Sequence, residues 1–259
     1  MIGEMNNSNS FNKNMVCEEL DGLFRIKVPF ESVYTSVFLL KRNENILVDC
    51  ATYESDVKNY ILPALDYIGC DVGSISKLVL THAHLDHSGG LEELLKYIAT
   101  TACVVKGELA NHVITSGVKT VALPGHSLDS IGVVDNETNS LISGDAIQLW
   151  GIGKYGCGVQ NGELYIETLD KIEQCDFANI FTSHEYAFLG EKAIGKAQVQ
   201  NYIAEARANY LTIVAYVHEK LSKGIVDISD IQAEFSKDFP LHPKLQGFTI
   251  QAIKQLKWS

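Results

Sequence analysis

Lys77-Leu78-Val79-Leu80-Thr81 is a short apolar run that leads without a break into His82-Ala83-His84-Leu85-Asp86-His87-Ser88-Gly89-Gly90. The first part reads as a buried strand and the second as the loop leaving its end. Three imidazoles and a carboxylate in so short a space are donors suited to Zn²⁺, Fe or Mn. His82 and His84, two apart, can approach one ion from the same side, and Asp86 and His87 can turn to a second. Gly89 and Gly90 give a sharp exit where bulkier residues would crowd the backbone. Three more donors stand just past later apolar runs, where open α/β structures place functional groups: His126 in Leu-Pro-Gly-His-Ser, Asp145 in Ser-Gly-Asp-Ala and His184 in Thr-Ser-His-Glu-Tyr.

The order T-H-x-H-x-D-H, P-G-H-S, S-G-D, S-H over roughly residues 24–190 resembles the metallo-β-lactamase superfamily, and the strand ending in Asp49 resembles that superfamily's first motif. The resemblance implies an αββα sandwich with a helical C-terminal extension. It also implies two divalent ions, zinc foremost with iron or manganese as alternatives. His82, His84 and His126 would bind the first, Asp86, His87 and His184 the second, and Asp145 would bridge them. Asp49 would hold a ligand histidine in orientation through a hydrogen bond. The ions, two aspartates and a bridging hydroxide leave a local charge of about +1, which attracts an anionic or carbonyl-bearing substrate. The implied reaction is hydrolysis of a small ester, thioester, lactone or phosphoester by that hydroxide. Asp86 or Asp145 would pass a proton to the leaving group.

Within the superfamily, the carboxylate at Asp145 argues against antibiotic hydrolysis, since true β-lactamases generally lack it. The inserted domain of the β-CASP nucleases has no room here, and the basic arm of the tRNA-processing relatives is not found. An iron-dependent oxidoreductase resembling the persulfide dioxygenases is the alternative; a flavodiiron enzyme would carry Glu in place of His84. The interval from Ser88 to Gly125 is short, with space for one helix, one strand and a turn, so a strand pair that usually precedes the P-G-H turn is expected to be missing. Tyr155, in a Gly-rich loop, and Tyr186, two residues beyond His184, are candidate substrate contacts, and Trp150 is a candidate for the pocket mouth. His112, His218 and His242 match no motif and are expected at structural or surface positions.

Around this centre the chain alternates short apolar strands (Leu23–Phe30, Ser32–Lys41, Asn45–Ala51) with helices. A hairpin turn is expected at Arg42–Asn45 and a helix at Glu54–Gly69. Later helices are expected at Glu163–Gln174, Ala193–Leu221, after a capping box at Ser229 and Gln232, and at Lys244–Leu256. The division is a polar lead-in at 1–16, a catalytic domain at 17–190 and a helical region at 191–259. The apolar stripe of the long helix suits packing on the body or a homodimer interface.

Composition sets the outer bounds. The 259 residues carry a net charge of −11, which speaks against nucleic acid as a main partner. The apolar fraction of 46% supports a sizeable core, and no apolar run suits a bilayer span or a secretory signal. Six cysteines with no C-x-x-C pair read as free thiols in a reducing, cytoplasmic setting. A small molecule is the expected partner.

Overall fold

The computed structural model describes residues 11–30, 33–150, 158–240 and 245–256. They form two compact units, 11–30 with 35–105, and 33–34 with the described residues from 106 onward.

The first unit is built on one six-stranded mixed sheet: β1 (Val16–Leu20), β2 (Leu23–Phe30), β3 (Val33–Lys41), β4 (Asn45–Val48), β5 (Ile75–Val79) and β6 (Cys103–Val105), in that spatial order. β1 starts at Val16, directly after a single 3₁₀ turn at Lys13–Met15, so ordered structure begins inside the expected polar lead-in. Alternate residues Ile26 and Val28 on β2, Val37 and Leu39 on β3, and Leu47 on β4 are fully buried in one cluster. That is the two-residue period of a sheet with a covered face. The covering stretch is α1 (Glu54–Asp56), a π segment at Val57–Ile61 and α2 (Leu62–Ile68), which bury Val57, Tyr60, Ile61, Ala64 and Leu65 in the same cluster. Gly69 ends α2 in the left-handed conformation. Two one-turn helices follow β5: α3 (Leu85–Ser88) and α4 (Leu91–Leu94).

The second unit repeats the scheme with β7 (Val113–Thr115), β8 (Val118–Ala122), β9 (Ile131–Asp135), β10 (Ser140–Gly144), β11 (Asn179–Tyr186) and β12 (Gly190–Ile194), laid in consecutive order. α5 (Gly162–Gln174) lies between β10 and β11, and α6 (Lys196–Ser222), α7 (Ile228–Asp238) and α8 (Gly247–Gln255) close the chain. Ile203, Ala206, Tyr210, Ile213, Val214 and Val217 of α6 are buried in one core with Leu141, Tyr165, Ile180, Phe235 and Ile250. The stripe of the long helix is therefore taken up by the unit's own core.

Three expectations are corrected. The strand pair before the P-G-H turn is present: β7 and β8 form a hairpin, Thr115 facing Val118 across Ser116-Gly117, with Gly117 at φ +81°. A two-residue turn with glycine at positive φ suffices, which is how the pair fits into so short an interval. Residues 193–194 belong to strand β12, and the long helix starts only after Gly195. The cap of α7 is Asp227, whose carboxylate accepts the Ser229 N–H at 2.8 Å.

In each unit neighbouring strands joined through a helix run parallel. β4 pairs with β5 with Val48 opposite Val79, and β10 pairs with β11 with Gly144 opposite Thr182. Parallel pairing brings the ends of both strands to the same edge; Asp49, His82 and Asp145 follow the ends of β4, β5 and β10, and His184 lies near the end of β11.

Candidate metal centre

Asp49 follows β4 directly, is wholly buried and has φ +65°, a left-handed conformation that costs a non-glycine residue of order 1–3 kcal/mol. The turn aims its carboxylate across the parallel pair. Oδ1 accepts the Thr81 N–H at 2.7 Å, and Oδ2 accepts the Thr81 hydroxyl at 2.9 Å and lies 2.8 Å from His87 Nδ1. A carboxylate accepts only, so His87 carries its proton on Nδ1 and its lone pair on Nε2. That Nε2 faces Asp86 Oδ2 at 3.4 Å.

Thr81 extends the same logic. Its one hydroxyl proton goes to Asp49, leaving a lone pair for His82 Nδ1 at 3.2 Å. His82 Nε2 then meets His84 Nδ1 at 3.0 Å. His84 is the extended residue before α3, and the single helical turn that follows is closed by the His87 and Ser88 N–H groups donating to its carbonyl. Thr35 donates to Asp86 Oδ2 at 3.3 Å.

The two glycines behind the motif act through space rather than dihedral freedom. A Cβ on Gly89 would stand 2.0 Å from the Thr52 carbonyl oxygen, and one on Gly90 2.2 Å from that of Cys50. This close packing, with the Cys50 N–H donating to the His87 carbonyl at 2.9 Å, presses the turn after β4 onto the end of α3 and so brings Asp49 to His87.

The second unit holds His126, Asp145 and His184, all nearly buried. Gly125, at φ +140°, lets the turn before His126 approach the main chain of Tyr165, where a Cβ would come within 2.5 Å. His126 Nδ1 donates to the Gly158 carbonyl at 2.6 Å, and His184 Nδ1 donates to the Tyr34 carbonyl at 2.9 Å. Both rings are thereby fixed with the proton on Nδ1. Their Nε2 atoms face one oxygen, Asp145 Oδ2, at 3.7 and 3.3 Å.

The donors in each unit are of the kinds that a divalent cation takes. His87, His126 and His184 each spend Nδ1 on an acceptor and turn a lone pair toward a carboxylate oxygen. Lone pair against anion is repulsive, and a cation held between them converts the repulsion into ligation. Imidazole and carboxylate together are donors for zinc, iron or manganese.

Tyr186 sits in the core at 3% exposure, with its hydroxyl 3.4 Å from Gln148 Nε2. Tyr155 and His242 lie outside the described residues. His112 is exposed, and Trp150 packs its ring 6.0 Å from that of Phe239. The sequence reading missed Thr81, Gln148 and the carbonyls of Tyr34 and Gly158. Thr81 lay inside the motif itself. The carbonyls have no sequence signal, because every residue has one.

A family model described as the metallo-beta-lactamase superfamily matches residues 31–113. A relative from Drosophila melanogaster, named beta-lactamase-like protein 2 homolog, is 28% identical over 190 residues, covering 63% of this chain and 62% of that protein. A hydroxyacylglutathione hydrolase from Vibrio parahaemolyticus is 30% identical over 140 residues, covering 48% of this chain and 53% of that protein. The metallo-beta-lactamase structure from Hirschia baltica superposes with a TM-score of 0.55 at 19% identity, covering 74% of this chain and 96% of that one. The segment 31–113 is thus similar to the metallo-beta-lactamase superfamily, and the likeness to the solved structure is one of fold. The chain spans about three fifths of the length of curated relatives that it matches.

Proposed function

We propose that this protein is a metal-dependent hydrolase using two divalent cations, and that its substrate is a small ester-type compound, a thioester before a lactone or phosphoester. The observation that carries this reading is the set of three histidines, each tied down at Nδ1 and each presenting Nε2 to a carboxylate. In the division of ligands that the superfamily resemblance implies, His82, His84 and His126 hold one cation and Asp86, His87 and His184 the other, with Asp145 shared. Divalent metal there supplies Lewis acidity and lowers the pKa of water toward neutrality.

The chain's own groups do the rest. Asp49 and the carbonyls of Gly158 and Tyr34 keep the ring protons away from the ligand nitrogens, so no tautomer change precedes binding. Asp86 keeps a side chain 17% exposed, the access that a carrier of protons to a leaving group needs. The relative named hydroxyacylglutathione hydrolase removes, by its name, an acyl group from glutathione, which favours the acyl class. None of the five described cysteines is in a disulfide, in keeping with a reducing compartment such as the cytoplasm. No helix among the described residues is long and apolar enough to cross a membrane.

The test is metal analysis of the purified chain together with turnover on thioesters, lactones and phosphodiesters. Two zinc or manganese ions per chain and hydrolysis that falls at least about 100-fold in Asp145→Ala are expected. One iron with oxygen consumption on a persulfide would replace this reading with the oxidoreductase.

A further inference from the structure

Gln148 lies three residues beyond Asp145, is 4% exposed and belongs to no motif. Its side-chain amide is fully used. Nε2 donates to the Asp145 carbonyl at 2.7 Å, and Oε1 accepts the Gly158 N–H at 3.1 Å. Gly158 is the residue whose carbonyl accepts His126 Nδ1–H. One side chain thus joins the main chain of one proposed metal ligand to the residue whose carbonyl fixes the tautomer of another. We infer that Gln148 is a positioning residue for the metal site, holding His126 and Asp145 in register with each other. The inference rests on the proposal that these two residues bind metal.

Two further contacts make the linkage stiff. The main chain of Gln148 is clasped by the Tyr165 hydroxyl, which accepts its N–H at 3.0 Å and donates to its carbonyl at 3.1 Å. From the other side, the buried Thr249 hydroxyl of α8 accepts the Val159 N–H at 2.9 Å, so the peptide group of the Gly158 carbonyl is anchored as well as the Gly158 N–H. No other neutral side chain of this length offers a donor and an acceptor on one planar group. Glu keeps the acceptor toward Gly158 and loses the donor toward Asp145; Met keeps only the volume.

The experiment measures zinc affinity of the full chain by competition with a chromophoric chelator, beside the melting temperature of the metal-free protein. Gln148→Met is compared with Thr120→Val, which strips buried hydrogen bonds to the Leu109 and His112 main chain elsewhere in the same unit. Zinc affinity about tenfold or more weaker in Gln148→Met, but within about threefold of wild type in Thr120→Val at a similar loss of melting temperature, is the expected result. Wild-type affinity in Gln148→Met, or equal weakening in both variants, overturns the inference. If Gln148→Met does not fold, Gln148→Glu is read by the same criterion. His126→Ala separates the two levels. Unchanged zinc stoichiometry there overturns the ligand assignment itself, whereas lost zinc in His126→Ala beside wild-type affinity in the Gln148 variants overturns only the positioning role.

Discussion

A single carboxylate, Asp49, determines what His87 can do. Substituting Asp49→Asn keeps the shape and the tolerance for the left-handed backbone, because Asn is at home there. The new amide group facing His87 becomes a donor, however, and would push the ring proton from Nδ1 to Nε2, the atom offered to metal. Zinc affinity measured by calorimetry should fall about 10- to 100-fold, while the metal-free fold persists with a loss of about 1–3 kcal/mol in urea denaturation. An unchanged affinity would show that the tautomer of His87 is not what Asp49 controls. The seven proposed ligands were legible in the sequence because each is a reactive side chain just past an apolar run. The atoms that orient them were not. Gly158 stands 32 residues from His126, and Tyr34 150 residues from His184, so only tertiary structure reveals those pairings.

At the scale of elements, the segment from the end of β4 to α4 is welded by backbone contact. Gly90→Ala would drive a methyl group into the Cys50 carbonyl, and the shift needed to relieve it separates Asp49 from His87. A loss of about 3 kcal/mol in chemical denaturation is expected, together with weaker zinc binding; a stability within about 0.5 kcal/mol of wild type would contradict the packing described here. Apolar periodicity made most strands and helices readable in advance. The exceptions have local causes. β7 is only three residues long, β12 lies against the start of a helical pattern, and the cap of α7 is one of two polar residues in competition. Short elements bury too little apolar surface to leave a period.

For the whole molecule, acid stability reports on buried charge. Glu93 on α4 is 3% exposed and accepts hydrogen bonds from Lys96 and Tyr97, with Lys58 at 3.3 Å. The Lys96 ammonium, followed by Tyr97 and Lys58, holds its carboxyl down to about 2. A carboxylate with a depressed pKa stabilises the fold fully above its ordinary value of about 4.3, and that contribution is lost as pH falls toward about 2. Urea midpoints of wild type and Glu93→Gln should therefore differ at pH 6 and converge between pH 4 and pH 2. A gap that stays constant across that range would count against the ion cluster.

Two of the acceptors that set histidine tautomers are peptide carbonyls, at Tyr34 and Gly158. A carbonyl cannot be deleted by exchanging one amino acid for another. The orientation of His126 and His184 is thus shielded from much point mutation and exposed instead to changes in chain length. One residue gained or lost beside Tyr34 or Gly158 would carry the oxygen out of reach, so evolutionary drift at these two positions should tolerate altered identity far more readily than altered spacing.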